Sequence, residues 1–534
     1  MTTDSASYYL KENAYFEPLI LKWYAWPYLL PPVSAAMNLT GRSMRLMKSF
    51  VANHQLHLAA SQNSELSGGD FVNCSADQVD TVRKLIEELQ THHQDYMELR
   101  KAVAHLNEML EQCKGLSLES LYDSIPEPLR GLVELTYDMN HNASFRLIEG
   151  LIYESSLYKP GAQSVSLGLL GDKVKERPFV LSSPRLPDEN HMHLTVPFTD
   201  SFIDKLFSAR TQPISREEID ALFEGLAPEG GLSVDELFTT QAPKRVRQEL
   251  EGGLRVSYLG HAGLLIESAK TSILVDPVIA VRDESYGDQV ISFSELPDVI
   301  DYICLTHTHM DHICVETLLQ LRHKTRMVLV PKNGSGSIVD PSVKLMLRKI
   351  GFDVMEFEDM ETIQCADGLI RAIPFLGEHA DLHIRSKSAW YFEFAGKKIF
   401  SGADSSSLDE RMYERIHRIT GDVDLLFIGM ECVGAPMSWL YGSLFTKPIP
   451  RDINESRRFN GSDCASAKKI VEIFKPSQLY IYALGLEPWF KYFMGMDYTE
   501  DARQIQESGQ LLQICADKQL HAERLFAKHV WNFA

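Results

Sequence analysis

The sequence predicts an α/β fold in its C-terminal half, preceded by a mixed, helix-rich N-terminal region. Three observations carry this expectation. Beyond residue 250, short apolar strand-like segments alternate with helical ones. One of them, residues 299–305, runs into His307-Thr308-His309-Met310-Asp311-His312, which holds three imidazoles and one carboxylate within six residues. Between residues 75 and 112, in contrast, apolar side chains recur at a helical period.

The early stretch Trp23 to Met37 contains Pro27, Pro31 and Pro32 and is too short to span a bilayer. Its aromatic residues, with Tyr15 and Phe16 before them, belong either in a core or in a subunit contact. Ser75 caps the helical run marked by Val82, Leu85, Leu89, Leu99, Val103 and Leu110. Residues 160–198 read as strands and turns, with Phe179-Val180-Leu181 a candidate strand. Ser215-Arg216-Glu217-Glu218 is a capping box. Composition breaks near Gln241–Arg245, which sets expected domains at 1–248 and 249–534. Leu254–Leu259, the turn Gly260–Gly263 and Thr271–Val275 open the second domain. A helix is expected from Ile313, a strand from Lys398 running into a turn at Asp404, and a late strand at Leu479–Gly485. His521 and His529 are expected in a C-terminal helix, as non-ligands.

Composition narrows the function. At 534 residues the chain is too long for one ordinary core. An apolar fraction of 44% and a charged fraction of 24% are those of a soluble globular protein. A formal charge of -20 argues against a nucleic-acid partner. Met1–Ser5 has no basic, apolar leader pattern. The eight cysteines show no Cys-x-x-Cys, so a reduced, cytoplasmic protein with no membrane partner is expected.

Imidazoles gathered at one point make chemical sense when a metal shares their lone pairs. His307 and His309 stand two apart and point the same way on an extended loop. Asp311 and His312 follow as the chain turns toward a helix, so one metal can take the first pair and a neighbouring metal the second.

The spacing His-x-His-x-Asp-His resembles the signature loop of the metallo-β-lactamase fold superfamily. It is highly specific for that fold and weakly specific for the reaction. The resemblance implies a C-terminal αββα metallo-β-lactamase-like sandwich. Gly260-His261-Ala262-Gly263 followed by Val275-Asp276-Pro277 resembles its entry hairpin, with His261 and Asp276 orienting ligands rather than binding metal. Asp404 falls where the superfamily places a metal-bridging carboxylate. Between them lies Gly377-Glu378-His379-Ala380-Asp381, where either Glu378 or His379 can be the next ligand. Hydrolases of the superfamily end with a strand and a ligand His; after Leu479–Gly485 no His follows closely. With Glu378, the set His307, His309, Asp311, His312, Glu378 and Asp404 has three nitrogens and three carboxylates, a balance that shifts preference from zinc toward harder ions.

Nearly the whole chain resembles the diiron β-hydroxylases of nonribosomal peptide antibiotic biosynthesis. The segments that carry this are Ser7–Asn13, Trp23–Trp26, Gly377–Asp381, Met430–Pro436, Trp439–Gly442 and Ser456–Asp463. The resemblance implies Glu378 as the ligand, two iron ions bridged by oxo or hydroxo, and a homodimer built by the N-terminal domain. It implies an oxygen-dependent monooxygenase that hydroxylates the β-carbon of an aminoacyl group tethered to a synthetase carrier domain. Dioxygen and an external electron donor are then required, because the chain shows no Gly-x-Gly-x-x-Gly fingerprint. A carrier is usually acidic, as this chain is, so docking needs a local basic patch; Arg451, Arg457 and Arg458 form one candidate. The competing reading is a binuclear zinc hydrolase of an ester, lactone or phosphodiester, supported by the metal loop and opposed by Glu378 and the missing last His.

Overall fold

The computed structural model describes residues 6–171, 174–244 and 250–534. The Met1–Ser5 opening and the expected 248/249 boundary lie outside the described residues, as does Arg245 of the composition break.

Two seven-stranded sheets face each other in the C-terminal half. The first runs, in spatial order, Val354–Phe357, Thr325–Pro331, Ile300–Cys304, Ser272–Val275, Gly263–Ser268, Leu254–Gly260 and His529–Phe533. The second runs Thr362–Gln364, Gly368–Ile373, Ala389–Phe394, Lys397–Ser401, Leu425–Gly429, Gln478–Tyr482 and His521–Arg524. Inward side chains such as Val256, Tyr258, Trp390 and Phe427 form the apolar layer between them. Helices Glu410–Thr420, Cys464–Phe474 and Arg503–Asp517 carry the apolar residues that pack on the outer face of the second sheet. Helices Val315–Leu321 and Val343–Lys349 cover the first. This is the expected αββα sandwich.

The central strands are parallel. Ile300–Cys304 pairs in parallel with both neighbours, and so does Leu425–Gly429. Parallel strands send the loops after their C-terminal ends to the same rim, which is where open α/β sheets place their sites.

The N-terminal part holds a four-stranded antiparallel sheet, Trp23–Tyr24, Ala14–Ile20, Gln163–Leu169 and His191–Leu194, with helices around it. Its apolar residues join those covering the first catalytic sheet in one continuous core. Tyr15, Phe16, Trp23, Tyr24, Trp26 and Tyr28 are all buried there. Of the two roles open to that aromatic segment, the structure shows core.

A fully buried ion network crosses the same contact. Arg177 donates to Glu17 Oε1 (2.8 and 3.0 Å) and to Glu316 Oε1 and Oε2 (3.0 and 2.6 Å). Arg185 donates to Glu17 as well (2.7 and 3.0 Å). Glu316 stands in the first turn of Val315–Leu321, the helix that follows the histidine loop.

Three local expectations change. The run from Ser75 is a short 3-10 turn followed by two helices, Val79–His92 and Gln94–Glu111. They break at His93 (φ -127, ψ 38), whose ring stacks on Tyr96. Phe179–Leu181 is a turn, not a strand. Val180 N–H bonds to Tyr492 O instead of a ladder, and Arg177 and Arg185 on either side are drawn inward by Glu17. His521 and His529 sit in edge strands, because the C-terminal helix stops at Asp517 and Gln519 takes φ 59. All eight cysteines are free. No helix among the described residues is long and apolar enough to cross a membrane.

Candidate metal centre

The loop after Ile300–Cys304 is shaped by its own hydroxyl and carboxylate. Thr306 donates N–H and Oγ1–H to Asp276 Oδ1 and Oδ2 (2.8 and 2.6 Å). The same Asp276 oxygen accepts from His312 Nδ1 at 2.8 Å, which fixes the tautomer and leaves His312 Nε2 as a lone-pair donor. Thr306 Oγ1 is 3.0 Å from His307 Nδ1 and does the same for His307. His309 is turned round: Nδ1 faces Glu378 Oε1 at 2.9 Å, and Nε2 lies 3.0 Å from the Tyr441 hydroxyl.

Asp404 arrives from the opposite sheet. Its Oδ2 is 3.0 Å from His312 Nε2 and 3.7 Å from His307 Nε2. Gly429 makes room for it, since a Cβ there would collide with Asp404 Oδ1. Asp311 Oδ2 lies 3.8 Å from His312 Nε2 and 3.1 Å from His261 Nε2. Among the described residues, three sets of donor atoms come within 4.8 Å of one another: His307, His309 and Glu378; His307, His312 and Asp404; and His261, Asp311 and His312. All six residues expected as ligands are therefore gathered at one place. His261 touches Asp311, as an orienting residue would, and also stands within one of these sets. His379 stands in none of them; its Nδ1 turns to His309 Nε2 and Tyr441 Oη, both at 3.2 Å.

The donor set fits a pair of metal ions. His307 Nε2, His312 Nε2, Glu378 Oε2 and Asp404 Oδ1 are buried without a hydrogen-bond partner, a costly arrangement unless a cation takes them up. His261 Nδ1 and His379 Nε2 are unpartnered too. Burial, then the neighbouring imidazoles, hold His307 well below the usual histidine pKa, so it stays a neutral donor. Burial pulls His312 down too, but Asp404, Asp311 and Asp276 outweigh it and push it well above. Three carboxylates around one imidazole demand positive charge, which a metal pair supplies. Burial raises Glu378, with Asp404 and Asp311 adding to the shift against the His309 hydrogen bond.

The site loops use strained backbone. His261, Asp276, Glu378, Ala380, Asp381, Ala403 and Ala483 all have positive φ, a conformation that L-residues rarely adopt outside sites held from all sides. Gly377 (φ 98) leads into Glu378 and passes close to Ser406 and Asn460.

Some neighbours carry no local signal in the sequence. Tyr28, from the N-terminal part, reaches Thr308 Oγ1 at 3.0 Å and packs edge-on against Tyr441. Glu431 is half-buried, hydrogen-bonded by Tyr498 and by Gln504 Nε2 (2.6 Å), and desolvation pushes its pKa up to about 7. Thr306 was missed, although a small hydroxyl beside the first histidine is the signal that could have found it. In the Arg451–Arg458 patch two arginines are tied to backbone carbonyls and the third stays exposed. Arg457 Nε donates to Ala380 O, Arg458 Nε to Gly434 O, and Arg451 pairs with Glu455.

Comparison with known proteins agrees with this geometry. The diiron non-heme beta-hydroxylase N-terminal domain matches residues 9–243, and a beta-lactamase superfamily domain matches 271–438. The chain is 35% identical over 528 residues to the 4-amino-L-phenylalanyl-[CmlP-peptidyl-carrier-protein] 3-hydroxylase of Streptomyces venezuelae, covering 97% of this chain and 98% of that one. The crystal structure of CmlA, a diiron beta-hydroxylase from Streptomyces venezuelae, superposes with a TM-score of 0.91 at 33% identity, covering 99% of this chain and 100% of that one. A variant of the same enzyme gives 0.90 at 34% identity, covering 98% and 100%. These full-length matches favour the hydroxylase over the zinc hydrolase, and this chain belongs to the non-heme diiron β-hydroxylases, monooxygenases that work with two iron ions.

Proposed function

We propose that this enzyme uses dioxygen and two externally supplied electrons to hydroxylate the β-carbon of an amino acid. The amino acid is held as a thioester on the arm of a peptidyl carrier domain. The observation that carries the reading is full-length similarity to an enzyme whose name specifies a carrier-bound aminoacyl substrate.

In this reading His307, His309, Asp311, His312, Glu378 and Asp404 would hold the two irons. The bound iron pair supplies the oxygen-activating chemistry. The chain's own part is to hold and orient. Asp276 and Thr306 fix the tautomers of His312 and His307, and Tyr441 fixes the ring of His309. Residues 249–534 form the catalytic unit, and residues 1–248 shape the approach to it. A homodimer, implied by family resemblance, is part of the proposal but draws no support from the Tyr15–Tyr28 aromatics, which are internal. Light scattering at micromolar concentration tests it: a particle of 60.5 kDa counts against it.

The function is tested with an aminoacyl-loaded carrier domain, a reductant and labelled dioxygen. Gain of one oxygen atom on the tethered amino acid, with no reaction of the free amino acid, is the expected result. Equal turnover of the free amino acid counts against the carrier requirement.

A further inference from the structure

Between the N-terminal helices and the catalytic loop lies a cavity of about 820 Å³. Arg42, Arg45, Lys48 and Arg100 line it on the N-terminal side, with Asp70 the single carboxylate among the lining residues. In a chain of charge -20, four cations against one acid is a marked local reversal. Arg42 is committed: it donates to Asp70 Oδ1 (2.6 and 3.0 Å) and to Trp439 O (2.8 Å). Arg45 shares Asp70 from the solvent side, through Oδ2 at 2.7 Å, with its side chain 68% exposed. Asp70 is thus already balanced; Arg100 donates Nη1–H to the neutral Thr40 O at 2.8 Å, and neither it nor Lys48 has a carboxylate left to pair with among the lining residues.

The opposite wall belongs to the segment that carries Tyr441. Trp439 and Leu440 line the cavity, and Tyr441, next in the helix Ser438–Tyr441, has its hydroxyl 3.0 Å from His309 Nε2. The two other cavities of comparable size that border the N-terminal part both mix acids with bases. One holds Lys175 and Lys491 with Glu176 and Asp497; the other holds Glu12, Glu189, Glu236 and Glu284 among its cations.

We propose that this basic mouth is the carrier-docking surface. Arg45 and Lys48 meet the acidic face of the carrier domain, and Arg100, inside the mouth, faces the phosphodiester of the arm that enters beside Ser438–Tyr441. The inference rests on the proposed function, and it assigns docking to this mouth rather than to Arg451–Arg458. Charges at the rim steer encounter and set affinity with strong salt dependence, while leaving the chemical step untouched.

The test uses holo-enzyme and a fluorescein-labelled, phosphopantetheinylated, aminoacyl-loaded carrier domain. Wild-type turnover of the tethered amino acid is established first; its absence, or equal turnover of the free amino acid, overturns the functional reading itself. With turnover in place, the double variant R45E/K48E is compared with R451E. The expected result for R45E/K48E is a dissociation constant raised by about tenfold or more, with a shallower salt dependence. Its iron content and its kcat at saturating carrier stay at the wild-type level, and R451E binds like wild type. Wild-type affinity in R45E/K48E, or an equal loss in R451E, overturns the docking assignment.

Discussion

Replacing Arg177 by Met removes the guanidinium that joins the N-terminal sheet to the helix after the metal loop, while keeping an apolar stem of similar length. Arg177 makes four hydrogen bonds to Glu17 and Glu316, all buried. Glu17 keeps Arg185, at 2.7 and 3.0 Å. Glu316 keeps only the hydroxyls of Tyr24 (2.9 Å) and Tyr492 (3.5 Å). Removing one partner of a buried pair costs roughly 3–5 kcal/mol, and the retained Arg185 places this case near the lower end, about 3 kcal/mol.

The pH dependence follows from the two carboxyls. Although burial opposes it, Arg185 and Arg177 hold Glu17 well below the usual range, so its stabilisation is present above that range and fades on acidification. Burial raises Glu316 against the opposing pull of Arg177, and without Arg177 it rises further. A raised carboxyl penalises the fold only at pH above its unfolded pKa. The Glu316 effect makes the loss in R177M larger near neutral pH than near about pH 5, while the Glu17 share fades only on further acidification. Denaturant unfolding followed by tryptophan fluorescence measures it. A loss under about 1 kcal/mol at neutral pH, or a larger loss in acid, would refute the reasoning.

Three further substitutions probe the metal centre. Asp404→Ala leaves two cations close together with less compensation, so iron loading should collapse, whereas His261→Ala should retain more iron; full iron content in Asp404→Ala would contradict the bridging role. Tyr441→Phe removes the hydroxyl from His309 Nε2 and should weaken iron affinity by about tenfold or more, seen by chelator competition, with the protein still folded; unchanged affinity would show that His309 is oriented by packing alone.

Much of this was legible in the residues. The histidine loop, the strand that leads into it and the turn at Asp404 announced themselves, because each depends on a short stretch of chain and its period. The expected helix after the loop and the strand at Leu254 formed for the same reason. The Glu378–His379 ambiguity could not be resolved locally: both carboxylate and imidazole suit a metal, and the geometry depends on Gly377 and Glu378 adopting positive φ against Ser406 and Asn460. Tyr28 and the Arg177 network were hidden because their partners lie more than a hundred residues away. Phe179–Leu181 misled because Val180 N–H bonds to Tyr492 O and Phe179 stacks on Trp439, partners far along the chain, instead of joining a ladder. The edge strands at His521 and His529 misled as well. The alternating burial of His529–Phe533 is the period-two signal that a helical reading of the C-terminus overlooks.

The most direct test of the account combines metal analysis with isotope incorporation on the same sample. The purified enzyme should hold about two irons per chain, as two-metal sites do. Given reductant and a carrier-tethered amino acid, it should place one atom from labelled dioxygen on the β-carbon. A zinc-loaded protein that hydrolyses the thioester, or product oxygen drawn only from water, would contradict it.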